Sequence, residues 1–415
     1  MKTFPWSRTI LILLLLLIFW NYFSGLGAVP FHPDETTQIF MSADALRQPV
    51  DLAFTPLAAV DLRMRYRLID SPITRMLIGW GMHLLGQPPV TADWNWSASW
   101  HENATAGALP SNASLLAARW SVAWLFPLTC LFFFLLAKRV TNRQTAILAF
   151  FLFSSNALIL IHTRRAMAES AALCVFCALA WLLIDLKKSA WFAALAAGLA
   201  VNTKQTAIPL AGMGVLELVF LPHEDTWRKR ILRCLEYLVG ISVITILVNP
   251  VFWKYPLQAI DRGIALRSDL SSRMEVDYHL SPNPLERSVI LIAQVFIQPP
   301  AIADVLNYKE ETRAVEEAYV AQPQNNLARG FFGGGVLLIL TILGWIVICR
   351  QIKTDQPPKK SPRLLFLMIT VVCLFSLMGL TAAPFQRYYI FLIPLFSISQ
   401  AAAIDAVWVA LKTTR

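Results

Sequence analysis

The sequence has little charge for its length. Only 15% of its 415 residues are Asp, Glu, Lys or Arg, whereas 56% are hydrophobic. A soluble globular protein has roughly 25% charged residues. The deficit argues against an ordinary soluble domain and indicates a polytopic membrane protein, with most of the chain in lipid.

Several functional signatures are missing as well. The sequence has no P-loop, no dinucleotide-binding glycine fingerprint, no His-Glu-x-x-His and no Gly-x-Ser-x-Gly. Nucleotide-dependent transport and soluble-type hydrolysis therefore lose support. The six cysteines lie in or beside apolar stretches, and the histidines have no metal-ligand spacing. The sequence thus predicts neither a disulfide framework nor a zinc site.

Ten apolar segments are long enough, or nearly so, to cross a bilayer core of ~30 Å as helices. We therefore expect an all-α polytopic membrane protein with about ten transmembrane helices. The first segment is interpreted as a retained signal anchor. The ten segments are 9–27, 116–137, 144–162, 167–186, 190–203, 205–221, 231–249, 330–349, 363–383 and 388–411.

Lysine and arginine are concentrated in short connecting segments. Six of these segments, including both termini, carry half of the 36 basic residues and fall on one side if ten helices alternate. The positive-inside rule places that side, with both termini, in the cytoplasm. The net charge of +10 is thus explained mostly by topology, and no nucleic-acid partner is needed.

The predicted organisation is one integral membrane domain over residues 1–415. It has a first outer loop at 28–115, a second outer loop at 250–329, and late helices at 330–411. Segment 285–303 is apolar enough to suggest a further crossing. A single crossing there would place the later basic segments on the opposite side of the membrane from the earlier ones. We therefore expect an interfacial or re-entrant helix instead.

The first outer loop contains three Asn-x-Ser/Thr sequons, at Asn95, Asn103 and Asn112. In a protein of the secretory pathway they would be glycan sites. We favour a chance cluster in a Ser/Asn-rich bacterial loop, although the sequence leaves both readings open.

Polar residues collect at the predicted outer ends of the helices. Charged groups at membrane depth are costly unless they are paired, hydrated or functional. The residues are His32, Asp34 and Glu35 after the first helix, Arg164, Arg165 and Glu169 between the third and fourth, Lys204 between the fifth and sixth, and Arg387 and Tyr388 at the start of the tenth.

This collection combines carboxylates with cations. Asp34 and Glu169 can act as a base or as positioning acceptors, and Lys204 and Arg387 can hold an anion. The anion found at this depth is a lipid phosphate, which Arg engages as a fork and Lys as a point charge. A carboxylate base beside such cations fits transfer from a phospholipid-linked donor to a hydroxyl.

The same residues have structural interpretations, which the sequence leaves open. Asp34 and Glu35 can cap the helix that begins there. Glu169 can neutralise a neighbouring arginine, and Lys204 can extend to the membrane interface. Arg387 can anchor the last helix beside its tyrosines.

The order of these motifs resembles the GT-C membrane glycosyltransferases. The similarity is to the bacterial family 39-like group related to protein O-mannosyltransferases and aminoarabinose transferase. It covers residues 1 to about 260 and returns at 363–411. The matching pieces are FHPDE, DSPITRMLIG, TRRAMAESAALCVFCALA, GLAVNTKQTAIPL and QRYYIFLIP.

The resemblance implies an inverting, metal-independent transfer that uses no cofactor. The sugar would move from a polyprenyl-phosphate carrier to an acceptor hydroxyl of a protein, lipid or glycan. It would do so on the outer face of a bacterial inner membrane. Asp34 would be the base, Glu35 and Glu169 would orient acceptor or sugar, and Lys204 and Arg387 would bind the lipid phosphate. The remaining candidates for substrate binding are His32, Arg164, Arg165 and Tyr388.

Two other classes of function compete with this one. A transporter or flippase of lipid-linked sugars would use the same outer charges as a gate, and a non-catalytic assembly partner would only bind the lipid-linked sugar. Transporters more often show paired halves and helices broken at the midplane. Here the charges lie at helix ends on one side, which favours surface chemistry.

Overall fold

The computed structural model describes residues 8–56, 60–184, 190–220, 226–277, 283–300, 309–354, 360–380 and 385–413. Within these ranges all regular secondary structure is helical, which confirms the predicted all-α class. Parts of the basic segments used to predict orientation, at 1–7, 185–188, 355–359 and 414–415, lie outside the described residues.

Nineteen α-helices are described, and short 3₁₀ turns join several of them. They are α1 (Arg8–Ser24), α2 (Pro33–Met41), α3 (Leu62–Ile69), α4 (Ile73–Leu84), α5 (Trp100–Thr105), α6 (Asn112–Ala123), α7 (Leu125–Val140), α8 (Arg143–Ser154), α9 (Ala157–Arg164), α10 (Ala168–Leu183), α11 (Ala190–Val201), α12 (Ile208–Phe220), α13 (Trp227–Val248), α14 (Pro256–Asp277), α15 (Pro284–Ile292), α16 (Lys309–Val320), α17 (Gly330–Thr354), α18 (Lys360–Leu380) and α19 (Leu392–Thr413).

Five described helical stretches are long and apolar enough to cross a membrane. The bent pair of α8 and α9 makes a sixth if it forms one span. Four shorter apolar helices, α1, α10, α11 and α12, coincide with the other four predicted segments. The ten predicted crossings are therefore not confirmed, because about 20 residues are needed to cross the bilayer core and these four helices have fewer.

Helices α7, α8, α10 and α19 form much of the buried core: α7 packs against α8 and α10, and α8 packs against α19. Small residues allow close approach of the backbones around it. A side chain at Gly344 of α17 would collide with the carbonyl oxygen of Ser399 in α19, and one at Gly198 of α11 would meet Ile244 of α13. Such contacts are how helices associate where lipid supplies no hydrophobic drive. The first contact joins α17 to α19, and the second joins α11 to α13.

The first outer loop folds into helices rather than an extended chain. The buried carboxylate of Asp44 accepts from Arg67 at 2.6 and 2.9 Å and lies 3.7 Å from Arg75. Helix α4 packs against α6, and Trp80 on its other side is 54% exposed. Helix α4 thus has one packed face and one exposed aromatic residue.

One sequon in this loop is structural. The Asn103 side chain is buried, and its amide nitrogen donates to the carbonyl oxygens of Asn95 and Ser99, each at 3.0 Å. Its amide oxygen accepts from the Asn95 backbone N–H at 2.7 Å. A glycan on Asn103 would disturb these bonds, so the folded arrangement disfavours a glycan at this position.

The second outer loop contains α14, α15 and α16. Helix α15 continues into a single π-helical turn, Ala293–Ile297, and residues 301–308 lie outside the description. Among the described residues, 284–297 are not among the helices long enough to cross a membrane. Arg329 donates to the carbonyl oxygens of Gln294, Val295 and Gln298 and fixes this segment against the start of α17.

Candidate active site

The FHPDE motif forms the start of α2. His32 is the N-cap residue, and its ring Nδ1 accepts from the Asp34 backbone N–H at 3.1 Å. The Glu35 carboxylate accepts from the His32 backbone N–H at 3.1 Å, which completes a capping box, and Pro33 occupies a first-turn position. The cap therefore uses the side chains of His32 and Glu35 and leaves the Asp34 carboxylate available for other contacts.

Glu35 is completely buried. Its Oε1 accepts from Arg119 Nε at 2.8 Å and from the Ala166 backbone N–H at 2.9 Å. Its Oε2 accepts from Arg119 Nη2 at 2.8 Å and from His32. Burial alone would raise the pKa of Glu35, but the adjacent Arg119 lowers it below its ordinary value, so the carboxylate is ionised. Each oxygen has two donors, so the structure places Glu35 in an anchoring position.

Arg119 is the main residue that sequence reasoning missed. It lies in α6, is 2% exposed, and donates through Nη1 to the carbonyl oxygens of Leu26 and Val29, each at 2.8 Å. Together with its bidentate contact to Glu35, this joins the end of α1 and the start of α2 to α6. The signal in the sequence was an arginine within an apolar segment, which is expensive unless it has partners.

Asp34 reaches across to the turn before α19. Its Oδ2 accepts from Arg387 Nη1, which also lies 3.5 Å from His32 Nε2. The Asp34 side chain is 33% exposed, whereas Arg387 is 9% exposed. The carboxylate is thus held on one side by a buried cation and open on the other. The predicted convergence of residues 34 and 387 is present in the structure.

A second ion pair lies beside the first. Lys204 Nζ donates to Glu169 Oε1 at the start of α10, and the two side chains are 15% and 2% exposed. Glu169 Oε2 has no hydrogen-bond partner among the described residues. Lys204 Nζ lies 5.0 Å from the ring centroid of Tyr388, and Arg387 Cζ lies 5.4 Å from it. Both cations therefore contact one aromatic ring, which brings the two ion pairs together.

Arg164 and Arg165 lie behind this site. Both are 1% exposed. Arg164 donates to the carbonyl oxygens of Asn21 and Tyr22 at 2.6 and 3.1 Å and to Asn325 Oδ1 at 3.0 Å. Arg165 Nε donates to the carbonyl oxygen of Pro30 at 3.2 Å. These contacts anchor the C-terminal end of α1 and the second outer loop, so a direct contact of either arginine with substrate stays a prediction.

The turn that carries Lys204 is attached to the first outer loop. Ser71 Oγ donates to the Val201 carbonyl oxygen at 3.0 Å. The Ile73 backbone N–H donates to the Asn202 carbonyl oxygen at 3.2 Å. Gln205 Nε2 donates to the Ile69 carbonyl oxygen at 2.9 Å. The DSPIT motif thus fixes Lys204 relative to the loop that contains Asp34.

Two further carboxylates lie on the outer-loop side of Asp34. Asp93 accepts from Tyr66 at 2.5 Å and from Thr37, one helical turn after Asp34, at 2.8 Å. Burial raises the pKa of Asp93 despite these bonds, and burial also raises the pKa of Asp70 against the opposing charges of Arg267 and Arg75. Sequence reasoning assigned no role to either carboxylate. Asp70 and Asp93 therefore add two carboxylates near Asp34.

The chain is similar to one known family of membrane enzymes over part of its length. Residues 106–253 match the family model described as dolichyl-phosphate-mannose-protein mannosyltransferase. The match covers 148 of the 415 residues, about a third of the chain. It confirms the predicted resemblance, and the matched segment contains Arg119, Glu169 and Lys204. With the apolar helices, it also indicates an integral membrane protein. The curated proteins contain no match to the chain.

Three solved structures of the Archaeoglobus fulgidus oligosaccharyltransferase are similar to the chain. The complex with Zn and sulfate has a TM-score of 0.45 and 13% identity, over 82% of this chain and 41% of that one. The form tethered with an acceptor peptide has a TM-score of 0.45 and 12% identity, over 92% and 50%. The apo form has a TM-score of 0.46 and 12% identity, over 92% and 51%. The chain spans about half of their length or less, and at these TM-scores the likeness carries no argument.

Proposed function

We propose that the protein transfers a sugar from a polyprenyl-phosphate carrier to an acceptor hydroxyl at the outer face of a bacterial inner membrane. The observation that carries this proposal is the meeting of two cations and two carboxylates around Tyr388, with one carboxylate, Asp34, open on one side. An anionic leaving group needs the cations, and a hydroxyl nucleophile needs the base.

In this proposal Asp34 takes the proton from the acceptor hydroxyl. The hydroxyl oxygen forms a bond to C1 of the sugar while the bond between C1 and the phosphate oxygen breaks. The leaving phosphate keeps the electron pair, and Lys204 and Arg387 stabilise its charge. Attack from the side opposite the phosphate inverts the configuration at C1.

The neighbouring carboxylates have different roles. Glu169 positions Lys204, since it is buried and in contact with that side chain. Glu35 positions the start of α2 through Arg119, and so acts on the reaction through Asp34 rather than through the acceptor. The transfer needs no metal or other cofactor in this scheme.

A panel of radiolabelled polyprenyl-phosphate sugars tests the function. With a cell-envelope extract supplied as the source of acceptor hydroxyls, purified protein in lipid vesicles should move one label from the lipid to a water-soluble or macromolecular acceptor. Asp34→Asn in the same vesicles should not. Equal loss of lipid label in the presence and absence of protein, for every sugar of the panel, would contradict the proposal. Movement of the intact lipid-linked sugar across the bilayer, without cleavage, would favour a flippase.

A further inference from the structure

We propose that Asp34 occupies the donor's phosphate site in the resting protein and gives up Arg387 when the donor binds, while Glu169 stays beside Lys204. The proposal rests on the proposed function. Arg387 exchanges its carboxylate for the phosphate, and this exchange releases Asp34 to act as a base. The ligand class is a phosphate ester carried on a polyprenyl lipid.

The two ion pairs have the same construction. Arg387 Nη1 contacts Asp34 Oδ2, and Lys204 Nζ contacts Glu169 Oε1. Each cation assigned to the phosphate is therefore already in contact with a carboxylate oxygen. A phosphate presents the same kind of acceptor to the same N–H donors, so it competes with these carboxylates directly.

Tyr388 keeps the two cations together during such an exchange. Its ring centroid lies 5.0 Å from Lys204 Nζ and 5.4 Å from Arg387 Cζ. These cation–π contacts do not depend on either carboxylate. One phosphate group has several oxygens and is thus able to engage both cations without a large movement of either side chain.

The two carboxylates differ in how freely they can leave. The Asp34 side chain is one-third exposed, so it can turn from Arg387 towards solvent. Glu169 is 2% exposed and in contact with Lys204, so it stays near that side chain. The exchange is therefore expected mainly at Arg387.

The exchange also sets an order of events. A carboxylate oxygen that is held by a cation is less accessible to a hydroxyl group. In the resting protein Arg387 occupies Asp34 Oδ2. When the phosphate draws Arg387 away, this oxygen becomes available to the acceptor hydroxyl. Donor binding thus precedes activation of the acceptor.

The test is the affinity of purified protein for a polyprenyl monophosphate in detergent micelles. Asp34→Asn removes the competing anion and should tighten binding about fivefold, the effect of losing one partly exposed ion pair. Glu169→Gln should tighten it by a smaller factor. Asp405→Asn is the matched control, since Asp405 accepts from Thr145 near the far end of α19, and it should leave affinity unchanged.

The same affinity measurement is made with two comparison ligands, the dephosphorylated polyprenol and inorganic phosphate. Polyprenol should show no gain in Asp34→Asn, because it carries no anion. A gain with inorganic phosphate assigns the effect to the phosphate group alone, and a gain with the lipid phosphate only assigns it to a phosphate held in place by its chain. Both outcomes support the exchange.

Weaker or unchanged binding of the lipid phosphate by Asp34→Asn would overturn the exchange. Asp34→Ser is the second variant should Asp34→Asn not fold. If the wild-type protein transfers sugar and binds the lipid phosphate while neither variant gains affinity, the exchange alone is wrong. If the wild-type protein binds no lipid phosphate, the proposed function fails with it.

Discussion

Asp34 and Glu35 are adjacent in the chain and lie in opposite environments. Glu35 is enclosed, with two donors on each oxygen, whereas Asp34 has one cation on one side and open space on the other. The same contrast separates the buried arginines that bind backbone carbonyls from Lys204 and Arg387 at Tyr388. Asp34 is therefore distinguished from Glu35 by its open side, and this difference underlies the role proposed for it.

The largest effect is expected at Asp34, the carboxylate with an open side. Asp34→Asn keeps the shape of the side chain and removes the base, so transfer should fall by about 10²–10⁴-fold. The midpoint of thermal unfolding should stay close to that of the wild-type protein, because the ion pair is partly exposed. Both are measured on the same detergent-purified sample. Transfer within about tenfold of wild type would remove Asp34 as the base.

The variant Glu35→Gln tests the enclosed carboxylate of the pair. It leaves the Arg119 guanidinium buried without its counter-charge, which should reduce the free energy of unfolding by about 3–5 kcal/mol. The lowered pKa of Glu35 means that its stabilising contribution is present above its ordinary pKa and is lost as the pH falls through the folded-state value. The deficit of the variant, followed by thermal unfolding, should therefore shrink in acid.

The control for this prediction is the double variant Glu35→Gln with Arg119→Met. Removal of both members of a buried pair leaves no isolated charge, so the double variant should recover part of the stability lost by the single one. A single variant as stable as wild type would mean that the pair does not anchor α2.

Lys204→Ala and Arg387→Ala test whether these two cations, unlike the buried arginines, bind the donor phosphate. Each removes charge-assisted hydrogen bonds to the donor phosphate, which should raise the KM for the donor by roughly 10–100-fold. The KM for the acceptor should change little. Initial rates over a grid of the two substrates separate these effects. An unchanged donor KM in both variants would place the phosphate elsewhere.

The smallest effect is expected at an exposed ion pair. Arg273 and Asp269 lie one turn apart on α14 and are 59% and 48% exposed. Solvent screens such a pair, so Arg273→Ala should change neither the thermal midpoint nor the rate of transfer. A loss of transfer in this variant would show that α14 takes part in substrate binding.

Much of the architecture could be predicted because lipid demands long apolar helices. Each of the ten predicted segments coincides with an apolar helix or bent pair, although α11 has only 12 residues. The convergence of Asp34, Glu169, Lys204 and Arg387 was also predictable, since topology places their helix ends on one side.

The sequence did not predict which charged residues are enclosed by partners and which keep an open side. Whether Glu35 is open or enclosed depends on Arg119 and the Ala166 backbone amide, which are distant in sequence. Arg164 and Arg165 carry the same charge as Arg387, and only their partners distinguish them. Burial and hydrogen-bond partners are set by packing, which a pattern of residue types does not encode.

The most direct test of this contrast is turnover per folded molecule in Asp34→Asn and Glu35→Gln. Both are assayed with the polyprenyl-phosphate sugar that the wild-type protein uses, and the folded fraction is measured in the same sample. The account predicts a folded, inactive Asp34→Asn and a less stable Glu35→Gln whose folded fraction still transfers sugar. A folded Glu35→Gln without activity beside an active Asp34→Asn would contradict it.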